Sequence, residues 1–292
     1  MFRGKKKEDL IKMIRSGICS VTLAKKSVSE VIAIVKEAGL EGIEWWGKDH
    51  VPHGDIAIAA KVKALTEEAR LKVSSYGSYY RAGVSEAEGL RFASVLDTAV
   101  ALGSPTIRVW AGNCNFADAD ETFVEKVVSD TMRIADMAAK AGLTVTFEFH
   151  GGTLTDNNDN AIKFASLVEH PAIFFSWQPP HGYTMEHCCA GLNGLLPRLS
   201  TIHVYHWTIG SYEKNTVNET IRPLKQPEDF FRHPLSDGVE RWREYVKMAN
   251  STGRDHFALL EFVKDDSPEQ VIEDAGTLRE LLKVQSRSKK SA

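Results

Sequence analysis

Eight times along the 292-residue chain, a short apolar run rich in β-forming residues gives way to a longer stretch with apolar residues at helical spacing. The strand-like runs fall at 16–21, 42–46, 72–76, 106–110, within 143–152, and at 172–178, 201–205 and 257–263. The helix-like stretches fall at 27–38, 56–71, 86–102, 120–141, 160–169, 185–195, 239–249 and 268–284. Gly39, Gly103 and Gly142 stand where helices would stop, and Ser267 precedes Pro268 as an N-cap precedes a first-turn proline.

Such a rhythm predicts an α/β fold with a parallel sheet, because parallel strands need crossover helices between them. Eight units point to a closed (β/α)8 barrel, in which closure removes both sheet edges. A doubly wound open sheet is the second choice, and it loses ground because no G-x-G-x-x-G follows the first strand. A barrel of this length predicts one domain over 1–292, with 1–15 as an N-terminal arm. One connection breaks the rhythm: 206–238 is far longer than the roughly 2 to 6 residues usual in such units, and long loops at that end of a barrel cover sites.

Composition narrows the function classes. At 43% hydrophobic and 26% charged the chain can bury a sizeable core, and a formal charge of -3 gives it no electrostatic reason to bind nucleic acid. The basic run Lys5 to Lys7 reads as a solvated arm. No signal-peptide core and no stretch of roughly 20 apolar residues is present, so no membrane partner and a cytoplasmic location are expected. Cys19, Cys114, Cys188 and Cys189 show no C-x-x-C spacing and read as reduced thiols.

In parallel α/β folds ligands sit beyond the carboxyl ends of the strands. Thr146, Glu148 and His150 alternate onto one face of the fifth strand and bring polar groups to that end. The sixth strand brings Gln178, with His181 three residues on, the seventh His203 and the eighth Glu261. Each residue alone has a plainer explanation: a rim salt bridge for a glutamate, a hydrogen-bonded core histidine for His203, a turn before Pro179 for Gln178. Together, at equivalent strand ends, Glu148, Gln178, His203 and Glu261 form a set suited to one divalent metal ion. Oxygen donors with a single nitrogen favour Mn²⁺, with Mg²⁺, Co²⁺ or Zn²⁺ as alternatives.

These residues resemble the xylose isomerase-like TIM barrels, which include sugar isomerases, ketose 3-epimerases, inosose dehydratases and endonuclease IV. The resemblance rests on Phe-Glu148-Phe-His-Gly-Gly-Thr, Gln178-Pro-Pro-His181, Ile-His203-Val and Leu-Leu-Glu261-Phe-Val, and covers the chain from Gly42 to the last helix. The segment from Trp45 to Asp55, with Trp177-Gln178-Pro179, looks like the sugar phosphate isomerase/epimerase-like subgroup. The family pattern is Glu, Asp in Asp-x-x-His, His, Glu; Gln178 stands where that Asp is expected. A neutral amide should hold the ion less tightly and leave it a stronger Lewis acid.

The resemblance implies a metal-dependent sugar or cyclitol isomerase or epimerase. One of Glu148 and Glu261 would take a proton next to a carbonyl and the other return one, while the ion holds the oxyanion. Loss of a β-hydroxyl would make the same site a dehydratase of the inosose type, and a non-catalytic sugar-binding barrel is a further alternative. A nuclease is disfavoured, since Asp229 and His233 are wrongly spaced for endonuclease IV ligands. The expected partner is a small sugar or cyclitol, without a phosphate loop and with homo-oligomerisation left open.

Supporting roles remain open at this stage. His181 would hydrogen-bond a substrate oxygen or cap a helix. His50, with His53, lies in the loop after the second strand and suits a substrate, a second metal or a turn. Arg108 suits an anionic substrate group or a pair with Glu44 or Glu148 inside the barrel. Trp46 and Trp110, with Trp45, Tyr205 and Trp207, sit at strand ends where sugar C–H faces stack.

Overall fold

The computed structural model describes residues 14–209 and 230–288, and of 284–288 the backbone alone. In chain order the barrel wall is β1 (Ile14–Cys19), β2 (Gly42–Trp46), β3 (Lys72–Arg81), β4 (Thr106–Trp110), β5 (Thr144–Glu148), β6 (Ile173–Trp177), β7 (Leu199–Val204) and β10 (His256–Leu260). These strands are parallel throughout and close in the order β1-β10-β7-β6-β5-β4-β3-β2. The helices that return the chain are α1 (Val28–Glu37), α2 (Ile56–Glu68), α3 (Phe92–Leu102), α4 (Glu121–Lys140), α5 (Asn158–Leu167), α6 (Met185–Leu195), α7 (Val239–Ser251) and α8 (Pro268–Ser288).

Helix starts follow their caps. Ser27 and Glu30 make a reciprocal capping box at α1, and the side chains of Asp55, Asp120, Asn157 and Thr184 accept from the third backbone N–H of α2, α4, α5 and α6. The expected helix over 86–102 starts only at Phe92. Glu86 leaves the helix to accept from the Phe92 N–H at 3.0 Å, and Gly89, at φ +94°, breaks the chain before it.

Strand alternation sorts the wall into two faces. Ile43, Trp45, Ile107, Val109, Phe147, Phe175 and Trp177 are buried against the helices, Trp45 with its indole N–H on Thr66 of α2. The alternate residues Glu44, Arg108, Thr146, Glu148, Ser176 and His203 point into the barrel, where buried charge and hydroxyl replace the usual apolar filling. Gly77 on β3 makes room for them, since a Cβ there would lie 2.8 Å from Arg108 and 2.9 Å from Glu44.

Two departures from the sequence rhythm lie at the mouth. β3 runs on past Tyr76 to Arg81, with a register shift between Gly77 and Tyr80 that puts Tyr79 at φ +56°. The 206–238 connection is not all loop, because β8 (His206–Ile209) and β9 (Phe230–His233) pair antiparallel at its base. Residues 210–229, the basic run Lys5 to Lys7 and Asp229 lie outside the described residues. Among the described residues, no helix is long and apolar enough to cross a membrane.

Candidate active site at the barrel mouth

Strand register brings the late-strand residues together. Leu259 of β10 pairs with His203 of β7, so Glu261, two residues beyond Leu259, arrives at the same rim. His203 Nδ1 lies 3.1 Å from Glu261 and 3.6 Å from Glu148, and all three side chains are buried. Gln178 meets Glu148 as well, but with its amide nitrogen at 3.5 Å while the same group donates to the Phe149 carbonyl at 2.7 Å. Gln178 thus turns its amide nitrogen toward Glu148 and braces it.

Charge is distributed unevenly. Arg108 donates from Nε to Glu44 at 2.8 Å and from Nη1 to Glu148, and the Trp110 indole also donates to Glu148. Burial works to raise the Glu148 carboxyl, but the Arg108 guanidinium, with His203 and His150, outweighs it and holds the group well below the usual carboxylate range. Burial likewise opposes the imidazolium form of His203, and Cys19, Glu261 and Glu148 around the ring outweigh it in the other direction. Of the two openings for Arg108, the structure takes the internal one: its charge is spent on Glu44 and Glu148.

A sequence profile described as xylose isomerase-like TIM barrel matches residues 32–281. The chain belongs to this family. A curated relative, the 3-dehydroshikimate dehydratase of Bacillus anthracis, is 20% identical over 264 residues, 85% of this chain and 91% of its own. The crystal structure of the probable 3-DHS dehydratase AsbF from the same organism superposes with a TM-score of 0.71 at 19% identity, over 91% of this chain and 99% of that one. A family member from Mycobacterium smegmatis in complex with magnesium gives 0.65 at 14% identity, over 94% and 98%. A D-psicose 3-epimerase crystallised with D-fructose gives 0.61 at 14%, over 93% and 99%.

The rest of this mouth is aromatic. A cavity of about 520 Å³ is lined by Trp46, Gly47, Lys48, Pro52, His53 and Tyr79. Tyr79 stands edge-on to Trp110 at 4.8 Å, and burial pushes its phenol up to about 12, which keeps it a neutral donor. His181 stacks on Trp207 at 4.9 Å with nearly parallel rings, and Phe230 of β9 closes edge-on at 4.8 Å, so the base of the long connection does reach the site. His50 does not join: its ring nitrogens lie 2.9 Å from Ser20 Oγ and from the Lys26 carbonyl, so both are engaged within the fold. His53 bonds the Tyr76 hydroxyl at 2.7 Å, and His150 lies beyond β5 with its ring against Trp110.

The residues present fit a divalent ion. His203 is completely buried and neither ring nitrogen makes a well-formed hydrogen bond, Nδ1 having only its charge contacts with Glu261 and Glu148, so coordination would complete its surroundings. Donor atoms of Cys19, His203 and Glu261 lie within 4.8 Å of one another. Sequence reasoning passed over Cys19 because it placed the first strand at 16–21. The strand in fact ends at Cys19, at the same rim as the other donors.

Proposed function

We propose that this protein moves a proton next to the carbonyl of a small polyhydroxylated ketone of the sugar or cyclitol class, with a divalent ion, as an isomerase or epimerase. The observation that carries it is the convergence of Glu148, His203 and Glu261 at the carboxyl ends of their strands, at a mouth that also holds an aromatic-lined cavity whose Tyr79 ring faces Arg108. His203, Glu261 and Glu148 would hold the ion, which when bound supplies Lewis-acid polarisation of a substrate oxygen.

The chain's own residues divide the work. Arg108 and Trp110 keep Glu148 anionic and fixed, which makes it a poor base and a good anchor. Glu261 has His203 as its close neighbour and is the group placed to take the proton from carbon. Trp46 and Tyr79 offer faces for the substrate's C–H surface, and His181 borders the opposite wall with Trp207.

Dehydration is a second reading, favoured by the dehydratase relative that spans most of this chain. It uses the same proton abstraction and differs in what leaves next, a β-hydroxyl instead of a returning proton. The test is a panel of ketoses, inososes and 3-dehydroshikimate in deuterated water. Deuterium in recovered ketose or its epimer supports isomerisation, and an ultraviolet-absorbing conjugated product supports dehydration. Glu261→Gln should lower either rate by about 10²–10⁴, the usual worth of a positioned proton-transfer group. Unchanged turnover in that variant would remove Glu261 from the chemistry.

A further inference from the structure

Cys19 is the cysteine grouped with His203 and Glu261, and its surroundings are not those of a packing residue. A buried thiol usually behaves as a small hydrophobe among apolar neighbours. Cys19 instead lies with its sulfur inside the polar cluster, within 4.8 Å of the donor atoms of His203 and Glu261. Strand order explains the meeting. β1 pairs with β10 through Ile18 and Leu260, so Cys19 and Glu261 come next on both sides, and β10 pairs with β7 through Leu259 and His203. Three adjacent strands thus deliver a sulfur, a nitrogen and an oxygen to one rim, and all three residues are buried. The second observation is the imidazole of His203, fully buried, with neither nitrogen in a hydrogen bond and Nδ1 facing Glu261 at 3.1 Å as a charge contact alone.

We propose that Cys19 is a metal ligand, and that with His203 and Glu261 it makes this mouth a zinc-type site. The inference rests on the reading of a metal-dependent enzyme and changes its metal. Four oxygen and nitrogen donors pointed to manganese, but Gln178 turns its nitrogen to the cluster and a sulfur enters from β1. A mixed sulfur, nitrogen and oxygen set suits tetrahedral zinc or cobalt(II), whereas magnesium demands octahedral oxygen and resists thiolate. Glu148, 3.6 Å from His203, is the nearest further carboxylate. Binding needs the thiolate and the neutral imidazole, so protons pass to solvent as the ion is taken up. Cys114, in the loop after β4, and Cys188 and Cys189, on α6, are not among the donors grouped with His203.

The full chain, stripped with chelator, is reloaded separately with cobalt(II), zinc and magnesium. Cobalt(II) should give the near-ultraviolet charge-transfer band of a thiolate ligand, a readout that needs no substitution and no substrate. Cys19→Ser should abolish that band and weaken zinc by at least about tenfold, which is the least that loss of even an outer-sphere partner costs, with magnesium affinity unchanged. Cobalt bound stoichiometrically without the band, zinc bound equally well by the variant, or no ion bound at all would each overturn the proposal. Turnover of a hydroxyketone without the thiolate band leaves the proposed reaction standing and removes this inference. The band without turnover does the reverse.

Discussion

On the β4–β5 side of the mouth, Glu148 is gripped by Arg108 and Trp110, and the same guanidinium reaches back to Glu44. On the β7–β10–β1 side, Glu261 faces an imidazole whose nitrogens lack hydrogen bonds, and beside them stands a thiol. Both sides bury carboxylates, yet one ties them to a fixed guanidinium and the other leaves donors converging on a shared point. A buried ion pair is costly to break and contributes little by existing, so the first side reads as scaffold and the second as the place for chemistry. Arg108→Met breaks the scaffold side and should have the largest effect. It strands two buried carboxylates and should cost about 3–5 kcal/mol of unfolding free energy, read from denaturant titration. Arg108→Met with Glu44→Gln should recover part of that loss, because the two sites are coupled. A loss below about 1 kcal/mol for the single variant would mean that the side chains are solvated and the contrast is false.

The wall next to the open side has its own signature in acid. Burial, with a contribution from His150, pulls His181 down to about 4, from about 6.5 in the unfolded chain. Between those values the unfolded state binds more protons than the folded one, so stability rises with pH across this window and is lost as pH falls from 6.5 toward 4. The ring is partly open to solvent, which trims the full linkage value to about 2 kcal/mol. His181→Phe keeps the stack on Trp207 and removes the proton, so its unfolding free energy should be flatter than that of the parent below pH 6.5. Equal acid sensitivity in both proteins would place that titration elsewhere.

The barrel was legible because its determinants are local. Periodicity, caps such as Asp120 and stops such as Gly103 act within a few residues of where they stand. Glu148, His203 and Glu261 were legible for a related reason, since strand ends in a closed parallel sheet must share a rim. What escaped the sequence was decided by contacts between distant elements. Arg108 had two outlets, and the presence of Glu44 two strands away, across β3, settled it. His50 looked like a rim residue, but Ser20 and the Lys26 carbonyl take both its nitrogens. Cys19 was invisible because a two-residue error at the end of a strand decides whether a side chain meets the site. The register shift in β3 that lifts Tyr79 into the cavity wall leaves no mark in composition or spacing.

Gln178 sits on the seam between the two sides, and Gln178→Asp is the mildest way to shift the balance. The amide now donates to the Phe149 carbonyl and turns its nitrogen toward Glu148, so it joins the scaffold side without adding charge. A carboxylate there cannot donate. It would lose the bond to Phe149 and place a further negative charge beside Glu148, whose partner Arg108 is already shared with Glu44. Without metal, the variant should therefore melt lower than the parent. With magnesium or manganese the added charge acts the other way, and affinity for these hard ions should rise about fivefold, or about 1 kcal/mol. Zinc should gain less, because its preference rests on sulfur and nitrogen donors. The two measurements discriminate together: a lower melting point with tighter magnesium places position 178 at the edge of the ion's reach. A lower melting point with unchanged binding of all three ions would assign it wholly to the scaffold, and the open side would end at His203.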